Sequence, residues 1–282
     1  MPEGDTIYKI AAYLRPRLEG QVLSQVAVAR TPLPLLCRLT VLQVRSVGKH
    51  LLLHCGPPES GWVLRVHLGL HGSWHRYAHG EHWRRPRWQA TLTVATTTDV
   101  YACFDAADVA CLRAEELAQH PPLRALGPDL LAADCDLNVV LARVAAQPPD
   151  TPLADVLLNQ SLAAGIGNIY KSEVLFICRQ HPLTPLAAVA TATRQALYVT
   201  ARQQLQANLG GWSRITTYDR RLGPARPPAG PGLWVYGRRA QGCLRCTAQI
   251  RRAELGRHRR VTYWCPECQP TCGGAAMPGP AS

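Results

Sequence analysis

Ile7, Ile10, Ala11 and Leu14 recur at i, i+3, i+4 and i+7, the stripe that one face of an α-helix turns toward a core. Asp5 or Thr6 supplies a cap ahead of it, and Pro16 followed by Gly20 is expected to end it, so the chain opens on one short amphipathic helix. From Gln21 to about Phe104 the period changes. The runs TVLQVRSVGKHLLLHC, GWVLRVHLGL and WQATLTVATTTDVYACF are rich in Val, Leu and Thr and cut by turn residues, which predicts the strands of an antiparallel sandwich or barrel. After a Pro- and Leu-rich link near His120 to Pro128, helical patterns return over about residues 136–147, 153–160, 168–179 and 186–208, with Gly165 and Gly167 parting the middle pair. Residues 216–232 (TTYDRRLGPARPPAGPG) read as a mobile basic loop, and residues 271–282 as a disordered tail. The first half is therefore mostly β and the second mostly α, with no internal repeat.

Charge adds a partner to this outline. The 282 residues carry 31 basic and 19 acidic side chains, a formal charge of +12, and this excess points to a polyanion. At roughly 150 residues per domain the length suggests two domains. No run approaches the roughly 18 apolar residues of a membrane span, so a soluble globular protein with no membrane partner is expected. Glu3 and Asp5 stand where a secretory signal needs basic and then apolar residues, which favours a cytoplasmic location, at the nucleoid if the source is bacterial. Only Lys9, Lys49 and Lys171 are lysines; the other 28 basic residues are arginine. A GC-rich genome accounts for that bias, yet each lysine retained is a candidate for chemistry that needs a releasable proton.

The 11 cysteines suit free thiols plus a metal site better than a disulfide framework in an intracellular chain. Cys243-x-x-Cys246 and Cys265-x-x-Cys268, with eighteen residues between the pairs, have the spacing of two zinc knuckles on a hairpin. Four thiolates leave no open coordination position for water, so one structural zinc that folds the segment is expected. The intervening RRAELGRHRRVTYW carries arginines suited to phosphate contacts, although an ordinary solvated hairpin has the same composition.

Two further segments carry chemistry. Once Met1 is removed, Pro2 presents a secondary amine able to attack an aldehydic carbon and form an iminium ion, and Glu3 beside it can move protons at that carbon. GIGNIYKSEVLF (Gly165 to Phe176) opens a helix with two glycines and an asparagine, where free backbone N–H groups and the helix dipole favour a phosphate. A plain packing elbow between two helices reads the same way.

PEGDT at the N-terminus, the Gly48-Lys49-His50-Leu51 strand, LNQSLAAGIGNIYKSE (Leu158 to Glu173), LWVYGR (Leu233 to Arg238) and the terminal C-x-x-C…WCPECQ finger, in this order, resemble the formamidopyrimidine-DNA glycosylase / endonuclease VIII family. The resemblance spans nearly the whole chain and favours an endonuclease VIII-like member. It implies an α+β multidomain fold: an N-terminal catalytic β-sandwich with a leading helix over residues 1–122, a linker over 123–134, a helix–two-turn–helix DNA-binding domain over 135–240, a zinc finger over 241–270 and the tail beyond. It further implies a monomeric base-excision repair enzyme that removes an oxidised base from damaged DNA (duplex, bubble or single-stranded) and nicks the strand by β or β,δ elimination. Carried over residue by residue, Pro2 is the nucleophile at the sugar C1′ and Glu3 the proton shuttle. Lys49 lies near the reacting sugar or phosphate, Asn168 is a phosphate ligand with Lys171 beside it at the DNA, and Arg260, five residues before Cys265, grips the backbone at the reacting strand. Cys243, Cys246, Cys265 and Cys268 hold the zinc. Leu70 in HLGLHGSW stands where many relatives carry a methionine wedge that fills the gap left by a flipped base.

One departure bears on the lesion. The branch that handles oxidised purines has an Asp-Pro-Arg-Arg-Phe-Gly segment that fills the vacated space, whereas this chain reads FDAADVACL from Phe104 to Leu112. That favours oxidised pyrimidines over 8-oxoguanine, with the purine branch as the alternative. A non-catalytic zinc-finger DNA-binding protein would share the finger, the charge and the helical turn, and only Pro2, Glu3 and Lys49 separate the two. His67, His71, His75, His79 and His82 raise a third reading, a zinc hydrolase, for which solvated loop histidines are the commoner explanation.

Overall fold

The computed structural model describes residues 2–211, 213–218 and 230–271. Most of the expected basic loop (219–229) and the tail from 272 on lie outside the described residues. The chain divides into two compact units, residues 1–126 and 127–282.

The first unit opens on α1 (Gly4–Leu18), whose Ile7, Ile10, Ala11, Leu14 and Leu18 are buried. Two expectations at its ends are corrected. The N-cap is Glu3, whose carbonyl accepts the N–H of Thr6 at 2.9 Å and of Ile7 at 3.1 Å, while Asp5 is buried inside the first turn and paired with Lys9 at 3.1 Å. Nor does Pro16 stop the helix. Its ring lies on the exposed face in the last turn, as does Ala12 four residues before it, and Leu18 buried beneath keeps the turn in place.

Nine strands follow: β1 (Gln25–Val28), β2 (Thr31–Pro32), β3 (Val41–Val47), β4 (His50–Cys55), β5 (Trp62–His67), β6 (Ser73–Ala78), β7 (Ala90–Ala95), β8 (Asp99–Phe104) and β9 (Asp108–Arg113). They form two antiparallel sheets, β2-β1-β7-β8-β6 and β3-β4-β5-β9. Val26, Leu92, Val94 and Tyr101 from one sheet share a core with Val44, Leu51, Leu53, Leu64 and Val66 from the other, and α1 adds its apolar stripe. This is a β-sandwich with a leading helix. Gly48 and Lys49, expected within a strand, instead form the two-residue turn between β3 and β4, in which Val47 pairs with His50. Gly48 has φ +55, the conformation that a tight hairpin turn demands at its first position and that glycine adopts without penalty. A short α2 (Pro121–Arg124) closes the unit.

The second unit contains α3 (Leu137–Ala145), α4 (Leu153–Leu158), α5 (Asn168–Ile177) and α6 (Thr191–Ala207), then the hairpin β10 (Arg251–Leu255) and β11 (Arg260–Trp264). The helical pattern expected from 186 is broken: Leu186–Ala188 is a single 3-10 turn, and α6 begins after Ala190. Leu130, in the expected linker, is fully buried in the helical core with Val140, Leu157, Tyr170 and Leu197. The finger has its own small core, in which Phe176 of α5 meets Val235, Ile250, Cys243 and Cys265.

Candidate active site and nucleic-acid interface

In the first unit, Pro2 and Glu3 immediately precede α1. Glu3 is fully buried, while Pro2 is half-exposed. The helix places both: burial of Ile7 and Ile10 seats its first turn on the sandwich, so the residues ahead of it are fixed rather than frayed.

Lys49, at the tip of the β3–β4 turn, is half-buried, and its charge helps depress the protonation of His67, after burial itself. Beneath it lies a polar cluster that the sequence reading did not single out. His50 and His67 face each other across β4 and β5 with ring centroids 5.0 Å apart. Arg65, 2% exposed, reaches the Asp108 carboxylate on one side and His50 Nδ1 at 3.2 Å on the other. A guanidinium can only donate, so His50 Nδ1 accepts and the imidazole is neutral. Burial, the neighbouring His67 and the Arg65 charge drive its pKa down to about 3. The one available signal was an arginine flanked by Leu64 and Val66 in a strand otherwise suited to burial; its register partner on β9 is Ala110, and the acid that meets it, Asp108, is paired with His67 two residues along.

Leu70 lies in the β5–β6 loop and is 51% exposed. The preceding Gly69 has φ +64 and rests against Ala107, whose Cβ would be 2.7 Å from a Cβ at that position. The histidines at 67, 71, 75, 79 and 82 do not gather; among the described residues the only cluster able to hold a metal is the cysteine set.

In the second unit, Asn168 opens α5 after Gly167, and the turn before it is braced by Gln160, whose amide nitrogen donates to the carbonyls of Leu158 and Ile166 while its oxygen accepts the N–H of Gly165. Lys171 requires a correction. It is fully buried and cannot reach a nucleic acid; its Nζ donates to Thr262 Oγ1 at 2.7 Å, to the Val261 carbonyl at 3.1 Å and to Asn168 Oδ1 at 3.3 Å. Helical spacing faces position 171 inward toward the finger, and no pattern within α5 alone shows that a strand 90 residues later supplies its acceptors. With its oxygen engaged, Asn168 keeps the two donors of Nδ2 for a ligand.

Glu173 is a second missed residue. Its fully buried carboxyl accepts from Thr216 Oγ1 and from the N–H groups of Trp234, Val235 and Tyr236, fixing the LWVYGR segment against α5. Burial pushes its pKa up against the pull of those four donors. Arg260 is exposed at the start of β11, directly before the two residues that Lys171 holds. At the hairpin tip, Asp155 of α4 accepts the N–H of Arg257 at 2.8 Å, and its carboxylate leaves no room for a Cβ at Gly256.

The four Sγ atoms of Cys243, Cys246, Cys265 and Cys268 lie within 4.8 Å of one another, with separations of 3.4, 3.5 and 3.8 Å among them. A tetrahedral ion with bonds of about 2.3 Å to sulfur has edges of about 3.8 Å, so the set fits zinc. Backbone N–H groups of Arg245 and Cys268 point at Cys243 and Cys265 Sγ, both at 3.4 Å, as thiolate ligands require.

Residues 1–107 match the family described as the formamidopyrimidine-DNA glycosylase N-terminal domain, and residues 126–219 match the formamidopyrimidine-DNA glycosylase H2TH domain. The chain is 36% identical over 284 residues to the probable endonuclease 8 2 of Streptomyces coelicolor, covering 99% of this chain and 97% of that protein. It is 36% identical over 271 residues to the DNA-(apurinic or apyrimidinic site) lyase Nei2 of Mycolicibacterium smegmatis, covering 95% and 99%. Among solved structures, the Lactococcus lactis Fpg (MutM) complex with DNA containing N7-benzyl-Fapy-dG superposes with a TM-score of 0.78 at 21% identity, covering 96% of this chain and all of that one. Among the described residues, no helix is long and apolar enough to cross a membrane.

Proposed function

Since the chain belongs to the formamidopyrimidine-DNA glycosylase / endonuclease 8 family, and is thereby a DNA glycosylase and abasic-site lyase of DNA repair, we propose that Pro2 is its nucleophile and oxidised pyrimidines its favoured lesions. The observation that carries the reaction is the fully buried Glu3 beside a half-exposed Pro2 at a helix start, whose nitrogen becomes a secondary amine once Met1 is removed. The Pro2 nitrogen lone pair attacks C1′ as the bond to the damaged base breaks and the base leaves with a proton. The sugar ring then opens, with Glu3 protonating the ring oxygen, and the C1′–N bond becomes an iminium. Loss of a proton from C2′ expels the 3′ phosphate by β elimination, and a second elimination at the 5′ side is open to the same adduct.

Lys49 holds the sugar or phosphate at the reacting nucleotide. Asn168 and Arg260 hold the backbone of damaged DNA, which positions the protein without reading sequence. One zinc, held by Cys243, Cys246, Cys265 and Cys268, keeps the hairpin folded and takes no part in the chemistry. The short β8–β9 turn, Asp105 to Ala107, offers only alanines and an aspartate to an emptied duplex site, which favours lesions that are already poorly paired. The enzyme works as a monomer in the cytoplasm. Borohydride trapping on abasic DNA tests the core of this reading: a covalent adduct whose mass places the sugar on Pro2 supports it, and a protein that nicks or excises without leaving one overturns it.

A further inference from the structure

We propose that the outer face of the five-stranded sheet carries a binding site for a nucleoside monophosphate, built from residues that have no part in base excision. Ala27 of β1 pairs with Thr93 of β7, and Gln25 with Ala95; these four alternate with Val26, Leu92 and Val94 of the shared core and so face away from it. The segment between β6 and β7 folds back over one end of this face. Trp83 stacks there on Tyr77 with ring centroids 4.7 Å apart and meets Phe104 edge-on at 6.1 Å. The other end stays open as a cavity of about 320 Å³, with Ala27, Thr93 and Ala95 in its floor, Trp83 in its wall, and Arg30, His79 and Arg87 among the side chains around it. None of these lies on α1, which follows Pro2 and Glu3 and packs against β3 and β4 of the other sheet.

Arg30 and Arg87 bring two guanidiniums to this cavity, and no carboxylate lines it. Among the described residues neither side chain has an ion pair or a hydrogen bond, and that of Arg87 rests over the Trp83 ring at 4.9 Å. The acids next to the cavity are taken: Asp99 accepts from Arg76 Nε at 2.9 Å and Nη2 at 3.1 Å, and Glu81 accepts the N–H of Ala78 at 2.7 Å. Two weakly hydrated guanidiniums at one concave site suit the bidentate geometry of a phosphate. Arg30 is held there in a strained backbone. It and Ala29 are the central residues of the β1–β2 turn, between the paired Val28 and Thr31, with φ +71 and +44, where glycine or asparagine is at ease. The His79 ring is fixed beside the cavity, because a carbonyl can only accept and Nε2 therefore donates to Thr96 at 2.8 Å. Alanines and an indole accept a flat apolar body, and the Gln25 amide and Thr93 hydroxyl offer donors and acceptors to the edge of a base. The volume stands at the lower end of the range of about 300–1,000 Å³ for small-molecule sites, which selects a mononucleotide over a peptide or a strand.

Calorimetric titration of the full chain with adenosine 5′-monophosphate, adenosine and inorganic phosphate tests the site, each with and without a saturating duplex that carries a tetrahydrofuran abasic analogue. One equivalent of the monophosphate is expected to bind in both conditions, since the duplex does not occupy this face. Adenosine and phosphate each lack part of the contacts and should bind about tenfold more weakly or worse. Arg30→Gly separates ligand from fold: glycine relaxes the turn, so the variant should melt no lower than the wild type, while its affinity for the monophosphate falls about tenfold or more and its excision of 5-hydroxyuracil is unchanged. Arg87→Gln, at an equally exposed position, should lose affinity likewise and is read in its place if Arg30→Gly melts early. No binding of the monophosphate, its displacement by the duplex, phosphate or adenosine bound as tightly, or wild-type affinity in the variant that is read would each overturn the assignment.

Discussion

Lys171 Nζ, buried in α5, donates to Thr262 Oγ1 of the finger hairpin at 2.7 Å, and the same ammonium holds Asn168 Oδ1 at 3.3 Å. One side chain therefore braces both residues proposed to hold the DNA backbone in the second unit, Asn168 directly and Arg260 through the two residues that follow it. Lys171→Met removes the donor and leaves buried acceptors unpaired, at about 1–3 kcal/mol each. Weaker binding to damaged and undamaged duplex alike is expected, with the slope of log K against log[salt] unchanged, because Lys171 neutralises no phosphate. Arg260→Ala should instead make that slope shallower by about 0.9, while Asn168→Ala weakens binding without altering it. Anisotropy titrations across a salt series decide the matter; a shallower slope for Lys171→Met would place its charge at the DNA after all.

Pro2→Gly should retain DNA binding and lose most base excision, and an N-terminally blocked protein should behave alike. Glu3→Gln is expected to slow base release more than nicking of a preformed abasic site, where the sugar is already able to open. Rates on the two substrates, with the N-terminus verified by mass spectrometry, make the check, and full activity in a blocked protein contradicts the nucleophile.

Cys246→Ser or Cys268→Ser removes a thiolate from a set whose sulfurs sit at tetrahedral edge distances, so zinc content should drop from about one per chain and DNA affinity should fall as the hairpin loses order. Elemental analysis beside binding measurements tests this. Unchanged affinity in a zinc-free preparation would detach the metal from the hairpin's role.

His50 is held neutral in the fold, with its pKa driven from 6.5 to about 3 by burial, His67 and Arg65. The unfolded chain takes up a proton below about pH 6.5 and the folded one does not, so stability is fully present above that value and is lost as pH falls toward 3. The loss is about 1.4 kcal/mol per pH unit for this histidine. Urea midpoints should fall more steeply from pH 7 to pH 5 in the wild type than in His50→Gln, whose amide oxygen can still accept from Arg65. Parallel curves would show that His50 titrates normally.

Leu70→Ala should depress excision from duplex more than from single-stranded DNA, because no gap needs filling where there is no partner strand. 5-Hydroxyuracil or thymine glycol should be released faster than 8-oxoguanine opposite cytosine, with the difference shrinking in a bubble. Single-turnover rates on the three substrate forms settle the order, and a preference for 8-oxoguanine opposite cytosine would return the chain to the purine branch.

The order of β and α halves, the apolar stripe of α1, the two knuckles and the glycine-opened helix at Asn168 were all legible in the chain, because each rests on a periodicity or spacing that neighbouring residues determine. Pro16 misled because the strength of its effect depends on which face of the helix is wet, and Gly48-Lys49 because a two-residue turn hides between two apolar runs. The roles of Arg65, Lys171 and Glu173 were decided only in three dimensions. Each is an ionisable side chain whose environment is set by residues far away in the chain: Asp108 for Arg65, Thr262 for Lys171 and Trp234 to Tyr236 for Glu173. Local sequence records what a side chain can donate; burial and the partner that meets it arise only when distant segments pack together, and those two decide whether a charge braces the fold or faces DNA.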